Sequence, residues 1–230
     1  MNNRLKTIVN LEKYPIQDLR LSNIRKIIKK CKRDLDQFSC TTIANFILPK
    51  SLKIMNDELE KQINKVYMSK KSINAYLYSK DDPSLPKDHP KRIFANRDNG
   101  YLNSDLFAKD SEMKFLYEQE ELLNFVSSCL GISPIYRWAD PLACHAYNVM
   151  RPKGILPWHF DSCEFTLSFM IQKPDKGGIF EYCPNIRGPG NENFKEVKKV
   201  INGDRTRVHQ LKLQPGDLQI FKGRFTLHRV

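Results

Sequence analysis

No stretch of this 230-residue sequence holds 18 consecutive apolar residues, so a transmembrane helix is not expected. The start, Met1-Asn2-Asn3-Arg4-Leu5-Lys6, lacks the apolar segment of a secretory signal, and the cytoplasm is the expected location. Cysteine is sparse: the six residues at 31, 40, 129, 144, 163 and 183 never form a C-x-x-C pair, which argues against a zinc ribbon or a disulfide framework. They are expected to be reduced and mostly buried. The phosphate-binding Walker loop, the G-x-S-x-G elbow and the dinucleotide G-x-G-x-x-G are all missing. Internal repeats, low-complexity tracts and a Gly/Ser/Pro linker are missing too, so the whole of 1–230 reads as one domain.

What is there is a soluble, globular composition, 40% hydrophobic and 28% charged, with a formal net charge of +12. The charge is uneven. Residues 1–71 carry 16 Lys/Arg against 7 Asp/Glu, whereas the other 159 carry 22 against 19. The excess therefore sits on N-terminal helices, where a solvated basic face is the plain reading and nucleic acid or another polyanion the alternative.

Along the chain, Ile24, Ile27, Ile28, Cys31 and Leu35 follow Ser22, an expected N-cap, at the spacing of one helical stripe. Cys40 to Phe46 reads as a strand. Pro49 opens a second helix with the stripe Leu52, Met55, Leu59, Ile63, Val66. Ile73 to Tyr78 alternates like a strand and leads into the Asp/Pro-rich stretch 81–90, a candidate binding loop or lid. A third helix is expected over Asp110 to Cys129, stopped by Gly131. Seven short β-like runs follow, Tyr136–Asp140, Leu142–Met150, Pro157–Phe160, Phe165–Gln172, Ile179–Tyr182, Val208–Leu213 and Leu218–Phe221, interrupted by a short helix at Asn193 to Ile201. Many short strands with regular turns mean a barrel or sandwich, giving an α+β, mainly β chain: a basic helical brace over 1–71 and a β-core with inserted helices over 72–230.

Within that β-core, His159 and Asp161 lie two positions apart on a strand, so both side chains point the same way. His228 lies 67 residues after the aspartate, on another expected strand, and would close a face of two histidines and one carboxylate. That donor set holds non-haem Fe(II) with positions left open for oxygen and a co-substrate. A plain Asp–His hydrogen bond on a sheet surface and a tetrahedral zinc site with a bound water are the alternatives, although no evident nucleophile or general base serves the zinc route.

Ordered blocks go beyond spacing. Asn74-Ala75-Tyr76 before the 81–90 stretch, Tyr136-Arg137-Trp138-Ala139-Asp140-Pro141-Leu142, Asn148-Val149-Met150-Arg151-Pro152, Trp158-His159-Phe160-Asp161, Gly178-Ile179-Phe180-Glu181-Tyr182 and Gly223-Arg224-Phe225-Thr226-Leu227-His228-Arg229-Val230 resemble successive blocks of the HalD/BesD-like Fe(II)/2-oxoglutarate oxygenases. That family contains free amino acid halogenases and related hydroxylases, and the resemblance runs from about residue 8 to the end.

The resemblance implies a double-stranded β-helix, jelly-roll or cupin-like, with Fe(II) held by His159, Asp161 and His228 and with 2-oxoglutarate and dioxygen as co-substrates. Its chemistry would be oxidative decarboxylation of 2-oxoglutarate coupled to attack on an unactivated C–H bond. In the halogenases the position of Asp161 is a small residue and chloride takes its place, so the aspartate implies a hydroxylase. Relatives act on small amino acids, often basic ones, which makes Arg97 the candidate for a substrate carboxylate and Asp140 for an amine. Asn148 is the candidate contact for one end of 2-oxoglutarate. Family chains continue past the Leu-His-Arg-Val block to an arginine that pairs with the distal carboxylate. Because this sequence ends at Val230, a C-terminal truncation is expected, and Arg229 or Arg224 is left for that role. Strand alternation, however, turns Arg229 away from the face of His228. A metal-binding barrel acting as a sensor without turnover is the competing reading.

Overall fold

The computed structural model describes residues 3–230. Six α-helices and nine strands are described, and every strand pairing is antiparallel. Helix α1 is Leu5–Ile8 and α2 is Ser22–Phe38. In α2 the buried residues Ile24, Cys31 and Leu35 form one stripe, which leaves the lysines and arginines to water. Ser22 lies inside the helix; the capping position is Leu21, without a side-chain cap. The helix ends at Ser39, whose left-handed φ of 55° turns the chain into β1, Cys40–Ile43.

Strand β1 stops short of the expected Phe46. Asn45 takes a left-handed φ of 54°, and its N–H donates to the Asp217 carboxylate at 2.9 Å instead of to a neighbouring strand. Helix α3, Pro49–Glu60, begins at its proline as expected, with Met55 and Leu59 buried. The expected stripe runs past its end: Ile63 lies in a separate 3₁₀ turn.

Strand β2, Tyr67–Asn74, pairs along its full length with β3, Phe94–Leu102. The strand expected at Ile73 to Tyr78 thus ends at Asn74. There the Asn74 carboxamide oxygen accepts from the backbone N–H of Tyr76 and of Tyr78, an Asx-type turn that outcompetes strand pairing. The helix expected over Asp110 to Cys129 is two, α4 (Glu112–Tyr117) and α5 (Glu120–Leu130). Gln119 is extended between them, and the Arg137 guanidinium donates to the carbonyls of Tyr117 and Glu118 at the break. Gly131 stops α5 with φ 71°.

Strand β4, Tyr147–Val149, joins the β2-β3 sheet. Strands β5 (Thr166–Phe169), β8 (Leu218–Phe221) and β1 form a second sheet, with β8 central. The third has β6 (Phe180–Cys183) between β7 (His209–Leu211) and β9 (Leu227–Arg229). Helix α6, Phe194–Ile201, lies between β6 and β7 in the chain. Four of the seven expected β-like runs therefore contain strands at β5 to β8. The run Leu142–Met150 shrinks to β4, Pro157–Phe160 contributes one bridge at His159, and Tyr136–Asp140 is not a strand.

Alternation along the second sheet decides what faces what. Ile43, Leu167, Phe169, Leu218 and Ile220 point into the main core with Ile24, Leu35, Met55 and Phe125 from the helices. Phe46 is wholly buried there, stacked 6.2 Å from Phe125 and 6.0 Å from Phe169. The opposite face brings Phe221 to within 5.3 Å of Phe180 on the third sheet, so two sheets pack against each other across aromatic rings. No helix among the described residues is long and apolar enough to cross a membrane.

Candidate metal centre

His159 and His228 are opposite each other on an antiparallel bridge, although 69 residues separate them in the sequence. Each backbone N–H donates to the other's carbonyl, at 2.9 and 3.0 Å, and the ring centroids are 4.1 Å apart. The chain then passes Phe160, buried on the opposite face, and returns with Asp161, whose N–H donates to the Gly223 carbonyl at 3.1 Å. One ligand atom from each of His159, Asp161 and His228 lies within 4.8 Å of the others.

The local backbone fixes the imidazole tautomers. His159 Nδ1 faces the Pro157 carbonyl and His228 Nδ1 faces the Thr226 carbonyl, both at 2.8 Å. A carbonyl oxygen only accepts, so each Nδ1 carries a proton, and in the neutral ring the lone pair is on Nε2. These two lone-pair nitrogens face one oxygen, Asp161 Oδ1, at 3.7 and 3.5 Å. The other oxygen, Oδ2, accepts from the Thr166 hydroxyl at 2.6 Å. Phe180 and Phe221 close the back of His228, at 5.6 and 5.0 Å between centroids.

Electrostatics agree with that geometry. Burial pushes His159 down to about 3, and the neighbouring His228 adds to the effect, so His159 is neutral. Burial alone would raise Asp161, but the adjoining His228 and His159 and the Thr166 hydroxyl outweigh it and hold the carboxyl at about 2, so it stays ionised. Among the described residues no lysine or arginine forms an ion pair with Asp161. A largely buried carboxylate faced by two imidazole nitrogens, without a lysine or arginine partner, is an arrangement that calls for a cation. Two imidazole nitrogens and one carboxylate oxygen are the donor chemistry of a divalent transition metal, so the residues fit Fe(II).

The remaining residues singled out in the sequence fall in four places. Arg97 and Asn99 share one face of β3: Arg97 Nε donates to Asn99 Oδ1 at 2.6 Å, and Asn99 Nδ2 donates to Asn148 Oδ1 on β4 at 2.8 Å. Asn99 is fully buried and Arg97 half-buried. Burial pulls the Arg97 guanidinium below its ordinary value, and its positive charge helps keep His159 neutral. No carboxylate among the described residues pairs with it. Arg229, by contrast, points to the other side of β9: its Nε donates to Glu181 Oε2 at 2.7 Å, and its guanidinium lies 4.7 Å from the Trp158 ring centroid. Arg224 donates to the Ser162 carbonyl. Asp140 is exposed and accepts from the Leu142 N–H at 2.8 Å, within a turn.

Thr166 was not legible as a site residue. Alternation along Phe165–Gln172 says that 166 and 168 share a face, but not that Asp161 folds back onto it. A hollow of about 280 Å³ is lined by residues of α2, β1, β6 and β7, including Cys40, Thr42, Tyr182 and Leu211, and by none of the triad.

The profile of the Halogenase D (HalD) family matches residues 94–230, a span that includes the whole triad, Arg97 and Asn148. Among solved structures, a prolyl-4-hydroxylase from Pseudomonas putida is similar, with a TM-score of 0.54 at 11% identity over 89% of this chain and 91% of that chain. At that identity the likeness is one of fold. None of the curated proteins compared with the chain matches it in sequence.

Proposed function

Because the chain belongs to the halogenase D family of Fe(II)/2-oxoglutarate oxygenases, we propose that it is a hydroxylase of a small, carboxylate-bearing molecule, a free amino acid or a close derivative. The observation that carries this reading is the Asp161 carboxylate, largely buried against two imidazole nitrogens, with no lysine or arginine among the described residues paired to it. In the halogenases that this sequence resembles, the same position is a small residue and chloride fills the gap. A carboxylate there favours hydroxylation.

His159, Asp161 and His228 would hold the Fe(II). When bound, it supplies the oxidative decarboxylation of 2-oxoglutarate by dioxygen and the attack on a substrate C–H bond. The chain's own part is positioning. The two backbone carbonyls hold each Nδ1 proton, so that Nε2 is the ring nitrogen turned inward. Phe180 and Phe221 keep water from the rear of His228. Arg97 offers an unpaired guanidinium to a carboxylate, oriented by Asn99, and Asn148 extends the same polar wall. For Arg229 to meet the distal carboxylate of 2-oxoglutarate it would have to leave Glu181, and Asp140 would have to leave its turn to meet an amine. The facing sheets β5-β8-β1 and β7-β6-β9 are read as the two halves of a double-stranded β-helix. The six free thiols accord with a reducing cytoplasm.

The test is turnover in a chloride-containing buffer with Fe(II), 2-oxoglutarate and a panel of free amino acids. Amino-acid-dependent succinate with a product heavier by one oxygen is expected. A chlorinated product would overturn the hydroxylase reading. Absence of succinate with every member, together with no visible charge-transfer band on anaerobic addition of Fe(II) and 2-oxoglutarate, would overturn the enzyme reading and leave the sensor.

A further inference from the structure

We infer that Gly223 and Thr166 form a notch that receives the Asp161 carboxylate and fixes it as a one-oxygen ligand; this rests on the metal-centre reading above. Gly223 is buried at the start of the turn into β9. A Cβ placed on it would run into Asp161, with Oδ2 at 2.1 Å, Cγ at 2.7 Å and Cβ at 2.8 Å as the three nearest atoms. Its φ is not among the positive values of the chain, so the backbone itself would accept any L residue. What forbids a side chain at 223 is the aspartate.

The notch has a second wall. Thr166 Oγ1 donates to Asp161 Oδ2 at 2.6 Å, the same oxygen that lies against Gly223. The segments are also strapped together along the backbone: Asp161 N–H donates to the Gly223 carbonyl, and the Arg224 guanidinium donates to the Ser162 carbonyl through Nε and Nη2. Arg187 in turn donates to the Arg224 carbonyl at 2.6 Å, so the turn bearing Gly223 is held from behind.

The result is a carboxylate with two unequal oxygens. Oδ2 is occupied by the hydroxyl and the glycine; Oδ1 alone faces both imidazoles. A carboxylate free to rotate would cover two coordination positions, whereas one held by Oδ2 covers one and leaves the neighbouring position for other ligands. Gly223 and Thr166 are thus positioning residues. The pocket is shaped for an aspartate at 161 and would be too open around a smaller residue.

The experiment is anaerobic titration of the full chain with Co(II), read by its visible absorption, with thermal melting of the metal-free protein as an independent readout. Gly223→Ala is expected to bind Co(II) at least about tenfold more weakly than the parent, in the range that loss of a ligand's supporting partner gives. Thr166→Val is expected to fall in the same direction, and Thr166→Ser, which keeps the hydroxyl, to regain affinity. In melting, Gly223→Ala lowers the transition of the parent but adds no loss in an Asp161→Gly background, because the atoms that the new methyl strikes are gone. Parent-like Co(II) affinity in both Gly223→Ala and Thr166→Val would overturn the notch. So would an equal melting loss from Gly223→Ala with and without Asp161. Failure of the parent to bind Co(II) counts against the metal centre instead, while the melting comparison still reads the notch without any metal.

Discussion

His159 and His228 sit on one rung of an antiparallel bridge, each donating its N–H to the other's carbonyl, with their imidazoles side by side 4.1 Å apart. The rung turns two sequence-distant residues into neighbours whose Nε2 atoms converge on Asp161 Oδ1. No rotamer search is needed to assemble the site, because the Nδ1 protons are already committed to Pro157 and Thr226.

Removing the third ligand therefore leaves two oriented nitrogens and no charge. Asp161→Ala is expected to weaken Fe(II) or Co(II) binding by more than about 100-fold, beyond what loss of a supporting partner costs. It should abolish substrate-dependent succinate. Calorimetric titration of the metal-free protein checks the first outcome, and retained affinity would remove Asp161 from the ligand set.

Stability of the metal-free protein should depend on pH in an identifiable window. An unfolded histidine takes up its proton near 6.5, whereas folded His159 does so only near 3. Between those values the unfolded chain binds more protons, so stability falls as pH is lowered from 6.5 towards 3. Asp161 adds in the same direction: its contribution is complete above 3.8 and is lost as pH falls towards 2. Urea midpoints measured from about pH 7 to pH 3 with a chelator present check the slope. In His159→Gln it should flatten between 6.5 and 3.

Arg97→Ala removes the guanidinium without touching a ligand. KM for the carboxylate-bearing substrate is expected to rise at least about tenfold, the loss of one charge-assisted hydrogen bond, with Co(II) affinity within about twofold of the parent. Arg97→Lys should recover only part of the loss, since an ammonium cannot reproduce the fork held by Asn99. A KM unchanged for both substrate and 2-oxoglutarate would remove Arg97 from the binding wall.

Arg229→Ala separates two roles for a residue next to a ligand. Glu181 also binds Arg205 and Gln210, so it keeps partners when Arg229 is lost, and the pair is partly exposed. The expected cost is about 1 kcal/mol of stability, discounted for solvent screening. The KM for 2-oxoglutarate should not move. A large rise would mean that Arg229 leaves Glu181 to bind the co-substrate.

Much of the helical layer was readable because its signals are local. The stripe of α2, the proline that opens α3 and the glycine that ends α5 each act within one or two turns. The strands were less legible, because side chains from elsewhere in the fold cut them short. Asp217 captures the Asn45 N–H, and Asn74 captures the N–H groups of Tyr76 and Tyr78. The break between α4 and α5 depends on Arg137, well downstream in the chain, which no helical period can announce. In the site, the period-two rule pairs His159 with Asp161, but their meeting with His228 depends on sheet register. Thr166 and Gly223 are hidden more deeply, since a hydroxyl and an absent side chain carry no chemical signature in a sequence.

Two carboxylates of the largely exposed stretch 81–90 tie it down by charge. Asp81 is clamped by the Arg92 guanidinium, and Asp88 pairs with Lys198 on α6. Asp81 and Asp88 are 47% and 68% exposed, so both attachments lie where dissolved ions reach them. The attraction in such contacts fades with a Debye length that shrinks to roughly 3 Å at 1 M salt. Part of the loop's grip is accordingly set by ionic strength. Amide exchange in 81–90 should quicken as salt is raised, while the backbone of Phe180–Cys183 stays protected.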